Sequence, residues 1–311
     1  MQHPTIIKLT MTVVIISALS LVAGCHSRAS RAAIKTGQEK QSAEITQEVK
    51  LKHSREEKAS QSEEGDLAER EEIRQSYELS PGAQVTLSGV NGQVKIETAD
   101  IKTAEVYIVR SARKREDLEY RQVQIEHSPT QLSIRVENKR ERSLFFALFS
   151  STPESHQRVV LKLPRDIELS ANGVKGPMTI GEIAGQVRLN GISGNVKVAQ
   201  ASGSSVFNGI NGSLEATITG VRDRGVRVNG INGNVEMRLA ETINADLIVR
   251  GVNGNVTPEL PKATMKGKRD HSNFTAQLGE GGAPITISGV NGNVRLLSAN
   301  TASGNVPTSV Q

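Results

Sequence analysis

Tryptophan is absent from this 311-residue chain, and aromatic residues make up only 3% of it, so a wide globular core filled by large rings is excluded. A thin core of stacked Val, Ile and Leu remains open to it, which is what a repeat architecture uses. Cys25 is the sole cysteine, so the chain can form no disulfide within itself. The six histidines are scattered and show no His-x-x-x-His spacing, and no Gly-x-Ser-x-Gly elbow occurs. No catalytic residue, metal ligand or cofactor is therefore expected. The net charge of +5 is modest, and no run of Lys and Arg is interleaved with stacking aromatics. Nucleic acid is accordingly not an expected partner, although attraction to acidic polymers or an anionic surface is open.

What the sequence does contain is one corner motif, repeated. Val228-Asn229-Gly230-Ile231-Asn232-Gly233-Asn234-Val235 has close copies opening at Gly191, Gly209, Gly251 and Gly289, and a distant one at Gly89. From Gly191 onward the leading glycines fall at 191, 209, 230, 251 and 289, so successive copies lie about 20 residues apart and the last gap is about two such lengths. A finer nine-residue phase runs over residues 172–207, each block written roughly x-Gly-Ile/Val-x-Gly-x-Val-x-Val. Its apolar columns are Val174, Ile183, Ile192, Ile210, Ile231 and Val252, and Met178, Val187, Val196, Leu214, Val235 and Val256. Beside them stand Thr179, Arg188, Lys197, Glu215 and Glu236, the outward residues that period-2 alternation demands of a half-buried strand. The fold expected is all-β: a parallel β-solenoid (β-helix) of about 18–21 residues per coil.

The Asn-Gly pairs have a physical reason. A corner needs backbone at positive φ, which Gly adopts freely and Asn better than most residues. Stacked Asn side chains can also pair up and down a column. Calcium-binding nonapeptide repeats carry an Asp in the turn, and no copy here has one, so no calcium is expected.

Residues 1–24 read as an export signal. Lys8 supplies a positive start, and Met11–Ala23 is apolar but too short to span a bilayer. The segment closes on Leu21-Val22-Ala23-Gly24-Cys25, which resembles a bacterial lipobox. The resemblance implies acylation of Cys25 (diacylglycerol, palmitate) and a lipid-anchored cell-envelope protein. The next residue is His26 rather than Asp, so outer-membrane sorting is expected if the source has two membranes. Residues 25–76 then read as a flexible charged tether, disordered or partly helical where Ala and Glu cluster at Leu67–Glu72. A coil of about 50 residues would hold the next domain roughly 40 Å from the lipid.

From Tyr77 the pattern becomes strands: Gln84–Ser88, Gln93–Thr98, Ala104–Arg110, Gln122–Glu126 and Gln131–Glu137 alternate apolar with polar. The solenoid domain is expected over residues 77–298, with the Gly89 copy about four coils away from Gly173 and a disordered tail over 299–311. Two interruptions break the pattern. Residues 140–157 hold three of the five phenylalanines, Phe145, Phe146 and Phe149, and read as an end cap or as an exposed membrane or partner contact. Residues 261–282 read as a divergent coil or side loop.

The run Arg158–Pro164, with Ile167–Gly176 and the Gly-Ile-Asn-Gly and Gly-Val-Asn-Gly copies after it, is similar to the bacterial "putative adhesin" family of envelope β-solenoids, over about residues 77–298. That resemblance implies a cell-envelope setting and an adhesin-like role; it supplies no catalytic residues. The expectation is a non-enzymatic lipoprotein that binds a surface polymer or protein, with a structural or regulatory lipoprotein acting through a membrane partner as the alternative. A β-helix polysaccharide-active enzyme, the less favoured alternative, needs paired carboxylates; the solenoid acids, such as Glu182, Glu215, Asp223 and Glu236, are isolated in sequence, although neighbouring coils could bring Glu215 and Glu236 together across one rung. The expected partners are the membrane, through Cys25, and an envelope protein or polysaccharide. No ligand-binding residue is assigned, but one outward column is expected to run through Thr179, Lys197, Glu215, Glu236, Thr257 and Arg295, and a second to carry Arg188 and Arg227.

Overall fold

The computed structural model describes residues 69–138, 155–222, 224–266 and 272–299. The chain divides into two compact units, residues 1–62 and 63–311, and every described residue belongs to the second. The export signal, Cys25, the Phe145–Phe149 segment and the C-terminal tail lie outside the described residues.

The elements run β1 (Glu69–Glu78), β2 (Ala83–Ser88), β3 (Val94–Ala99), β4 (Thr103–Ala112), the short helix α1 (Arg115–Tyr120), β5 (Arg121–Ser128), β6 (Gln131–Asn138) and β7 (Ser155–Pro164). The repeat follows as β8 (Ile167–Asn172), β9 (Met178–Ile183), β10 (Val187–Ser193), β11 (Val196–Ala201), β12 (Ser205–Asn211), β13 (Leu214–Ile218), β14 (Val226–Asn232) and β15 (Val235–Ala240). The chain ends with β16 (Ala245–Val252), β17 (Val256–Glu259), β18 (Ala263–Met265), β19 (Phe274–Leu278), β20 (Ala283–Asn291) and β21 (Val294–Ala299).

These strands form two large sheets, and neither closes into a barrel. Sheet A is ordered β1-β4-β7-β3-β9-β11-β13-β15-β21-β17, and sheet B β18-β19-β16-β20-β14-β12-β10-β8-β2-β6-β5. From β8 to β17 consecutive strands alternate between the sheets, so one strand of each makes a rung. The inner rungs pair in parallel, with Val187 opposite Leu169 and Ser205, and Val196 opposite Met178 and Leu214. The sheets are nonetheless mixed, which corrects the expectation of parallel pairing throughout. β1, β4 and β7 run antiparallel to one another, as do β5 and β6, and β16, β19 and β18. These antiparallel pairs lie at the ends of the two sheets; a two-residue turn joins β5 to β6, whereas β1–β4, β4–β7 and β16–β19 bring together strands that others separate in the chain.

The core lies between the sheets as two inward columns. Sheet B contributes Val85, Leu169, Val187, Ser205, Val226, Ile285 and Leu247; sheet A contributes Val94, Met178, Val196, Leu214, Val235, Val294 and Val256, all buried. The nine-residue phase of the sequence therefore switches sheet at each block, and the stacking period is the distance between rungs. Burying each of these aliphatic side chains stabilises by about 1.5–3 kcal/mol, which lets a core without large aromatics hold.

Rung order differs from chain order at both ends. The Gly89 copy sits directly on the Gly173 rung, where the Gly89 N–H donates to the Asn172 carbonyl at 3.1 Å. It is a neighbour, not four coils distant, and the intervening strands extend the far side of it. Likewise β20 and β21 lie between β14/β15 and β16/β17, so the long last gap is no skipped coil: the final rung is inserted. The segment around residues 261–282 supplies β18 and β19, which prolong sheet B, and places Phe274 in the core.

The Glu-rich stretch at Glu69–Glu72, read from the sequence as tether with helix, is the start of β1. Pairing with β4 overrides its helical propensity, and half-buried Ile73 and Tyr77 pack on the core. The end is fastened by Arg110, which is buried, donates to Glu71 Oε2 at 2.6 Å and to the carbonyls of Leu118 and Arg121 around α1. Tyr77 stacks on His127 with ring centroids 4.6 Å apart, joining an edge strand of sheet A to one of sheet B.

Candidate binding faces

Each corner places its two glycines differently. At Gly230 φ is +68°, the left-handed region, and an added Cβ would meet Gly209 only at ordinary contact distance, 3.6 Å. At Gly233 an added Cβ would lie 2.5 Å from the carbonyl oxygen of Gly212 in the next rung, so the rungs stack there only without side chains. Alongside, the Asn side chains do pair in ladders. Asn190 Nδ2 donates to Asn172 Oδ1 at 3.1 Å, Asn229 to Asn208 at 3.1 Å, and Asn253, Asn291, Asn232 and Asn211 form a run with bonds of 3.0 Å. A third column, Asn195, Asn234 and Asn293, accepts from backbone N–H groups of the adjacent rung at 2.9–3.0 Å. The motif builds the corner, as its residue types predict.

The outward column of sheet A is in register as expected, with one change of order: Thr179, Lys197, Glu215, Glu236, Arg295, then Thr257. Glu215 and Glu236 are direct neighbours across one rung. They do not make an acid–base pair, because Arg238 lies against both, 3.0 Å from Glu215 and in a short contact with Glu236. Lys197 adds a bridge to Glu215 at 3.2 Å, and Arg295 reaches Glu236 at 3.8 Å and Glu259 at 3.1 Å. The hydrogen bond and charge of Glu259 hold the Arg295 guanidinium above its usual range. Farther along, Lys95 pairs with Glu97 at 2.7 Å and Lys162 with Glu105 at 3.0 Å. This face is a ladder of paired charges.

The outward column of sheet B runs Thr86, Ser170, Arg188, Val206, Arg227, Thr286 and Ile248. Arg188 and Arg227, placed in one column from the sequence, are both exposed and two strands apart. Beside them are two shallow clefts. One of about 290 Å³ is lined by Glu168, Gly185, Gln186, Ser204, Arg222 and Arg224; the other, about 170 Å³, by Gln84, Thr86, Glu168, Ser170, Gln186 and Arg188.

Sequence reading missed Arg238, whose role depends on register, and the pair Arg222 and Arg224. For the latter a signal was present. The spacing from Gly209 to Gly230 exceeds that from Gly191 to Gly209, and the extra residues fall in the β13–β14 connection that carries both arginines. Glu182, isolated in sequence, pairs with Arg165 at 3.4 Å. Asp223 and Cys25 lie outside the described residues. Among the described residues there is no group of three His, Cys, Asp or Glu placed to hold a metal, and no helix long and apolar enough to cross a membrane.

No family model and no curated protein matches the sequence. Among solved structures, the chain is similar to a "putative cell adhesion protein" from Clostridium sporogenes at 10% identity and a TM-score of 0.39, covering 74% of this chain and 100% of that one. It is similar to a "putative adhesin" from Bacteroides fragilis at 11% and 0.34, covering 73% and 97%. A "putative lipid binding protein" from Parabacteroides distasonis gives 13% and 0.24, again covering 73% and 97%. At such scores these likenesses carry no functional argument, and the reading below rests on the geometry of the faces.

Proposed function

We propose that this chain is a non-enzymatic cell-envelope lipoprotein, anchored through an acylated Cys25, that presents a β-solenoid as an adhesin-like binding module for a surface polymer or protein. The observation that carries the binding reading is the register: outward side chains repeat rung after rung as continuous columns on two long faces. Such a surface meets an extended ligand at many equivalent points, and many weak contacts add to useful avidity. The solenoid reading is supported by the parallel inner rungs and the alternation of consecutive strands between sheets; its two ends are antiparallel caps. The non-enzymatic reading is supported by the engagement of Glu215 and Glu236 with Arg238.

A second reading, action at the membrane through a membrane partner, is favoured by one relationship. Glu69 pairs with Ala112, and Ala112 with Ser155. Glu69 and Ser155, where the described chain begins and where it resumes, therefore lie at the same corner of sheet A.

The test is attachment of the full-length protein to isolated cell envelopes, for the parent and for variants neutralising outward charges on each face. The binding reading expects attachment to fall for at least one face and to weaken as salt rises. Unchanged attachment with both faces neutralised makes the domain a spacer.

A further inference from the structure

We infer that the sheet B face, between Arg188, Arg227 and the Arg222–Arg224 turn, is a binding track for an acidic polysaccharide; this rests on the binding reading above and names its face and ligand class.

The two faces treat charge in opposite ways. On sheet A, Lys95, Lys162, Lys197, Arg238 and Arg295 each have a carboxylate partner. On the sheet B side, Arg188, Arg227 and Arg250 of the strands and Arg222 and Arg224 of the β13–β14 connection are exposed and make no ion pair among the described residues, whereas Arg135, near the far edge, pairs with Glu137 at 3.2 Å. A guanidinium left unpaired on a flat face keeps all its donors for a planar oxyanion, and carboxylate or sulfate fits its fork in two-point fashion. Arg188 and Arg227 are separated by one strand, hence by about 9–10 Å. The track so repeats charge along the stacking direction, which suits a ligand with acid groups at intervals rather than one small anion.

The rest of the face suits hydroxyls. Gln84, Thr86, Ser170, Gln186 and Ser204 line the two clefts, and the Asn172–Asn190 and Asn208–Asn229 pairs run beside the arginine column. Asn190 and Asn208 each spend one donor or acceptor on their neighbour, while Asn172 also donates to Ser170 Oγ and Asn229 also accepts from Ser288 Oγ, both at 3.2 Å; each amide still keeps a donor and an acceptor position for a ligand. The outward column contains no aromatic ring, so base stacking is not provided for, and neither is the aromatic platform favoured by neutral sugars. Glu168 stands in both clefts as the one carboxylate lining them, an acceptor for hydroxyls that also repels excess negative charge.

The experiment measures binding of the full-length protein, purified in detergent, to immobilised polygalacturonate, dextran and single-stranded DNA. The variants are Arg188→Gln with Arg227→Gln, Arg222→Gln with Arg224→Gln, Glu168→Gln, and Lys95→Gln with Lys197→Gln as the opposite-face control. Thermal melts verify that these exposed changes leave the fold intact. Polygalacturonate should bind and dextran should not. Each arginine pair should weaken binding about tenfold or more, Glu168→Gln should tighten it, the lysine pair should leave it unchanged, and added salt should weaken it. Parental binding by both arginine pairs, an equal loss in the lysine pair, or equal binding to dextran overturns the track. DNA bound as tightly with the same arginine dependence overturns the ligand class. If polygalacturonate fails to bind while attachment to envelopes persists, this inference falls alone; loss of all attachment takes the binding reading with it.

Discussion

Asn291 and Asn232, 59 residues apart in the chain, share a hydrogen bond of 3.0 Å, Nδ2 of the first donating to Oδ1 of the second. Asn291 also accepts from Asn253 at 3.0 Å, so the last corner of the chain stands between two earlier ones. Asn291→Ala breaks two ladder bonds, whereas Asn211→Ala breaks the one donated by Asn232. Net hydrogen bonds are worth about 0.5–1.5 kcal/mol each, so the first should cost roughly twice the second in urea unfolding. Equal costs would mean that β20 does not lie between β14 and β16.

The two glycines of one corner should respond differently. Gly230→Ala meets only the cost of the left-handed backbone, about 1–2 kcal/mol, and Gly230→Asn should recover part of it. Gly233→Ala drives a Cβ into the Gly212 carbonyl and should cost more than about 2 kcal/mol, with no rescue by Asn. Thermal melts of Gly230→Ala, Gly230→Asn, Gly233→Ala and Gly233→Asn would decide the matter, and a stable Gly233→Ala protein would remove the close-stacking account.

Ser205 is fully buried in the inward column between Val187 and Val226, and its hydroxyl has no hydrogen-bond partner among the described residues. A buried unpaired hydroxyl is costly, so Ser205→Ala should stabilise the domain by about 1 kcal/mol, raising Tm by about 2–4 °C. A lower melting temperature would show that the hydroxyl does have a partner.

Replacing Arg238 tests whether the sheet A carboxylates are structural. The pair of salt bridges is part-exposed, so Arg238→Gln should cost under about 1 kcal/mol, less at high salt than at low. The parallel change Glu236→Gln removes the contacts to Arg238 and Arg295 and should behave the same way. A loss that is insensitive to salt would point to packing rather than charge.

Glu241 gives the end rung a sensitivity to acid. Lys262 Nζ lies 2.5 Å away and Ser298 Oγ donates at 3.0 Å; the Lys262 hydrogen bond foremost, then Ser298, holds the Glu241 carboxyl below its usual value. A depressed folded-state pKa contributes stability above the unfolded carboxylate value and loses it as pH falls through the folded one. The gap in urea midpoint between parent and Glu241→Gln should therefore be present near neutral pH and close in acid. A gap that is the same at all pH values would exclude ionisation as its source.

The sequence by itself determined the strands and the corners. Alternation at Val196-Lys197-Val198 or Val235-Glu236-Met237 fixes which side chains face the core, and Asn229-Gly230 with Asn232-Gly233 can satisfy the turn locally, because φ preference and side-chain period are properties of a few adjacent residues. The tertiary structure alone decided which rung lies on which. The Gly230, Gly251 and Gly289 rungs offer the same glycine column and the same ladder position, Asn232, Asn253 and Asn291, so the local pattern lets the Gly289 rung stack as well on Gly230 as on Gly251, and it does both at once. β1 followed the same logic, since a Glu-rich segment becomes a strand only when β4 offers an edge. The charge pattern also belongs to register: Arg238 neutralises Glu215 from the next strand, while Arg188 and Arg227 meet only Ser170, Val206 and Thr286 across theirs, and one-dimensional spacing cannot tell these cases apart.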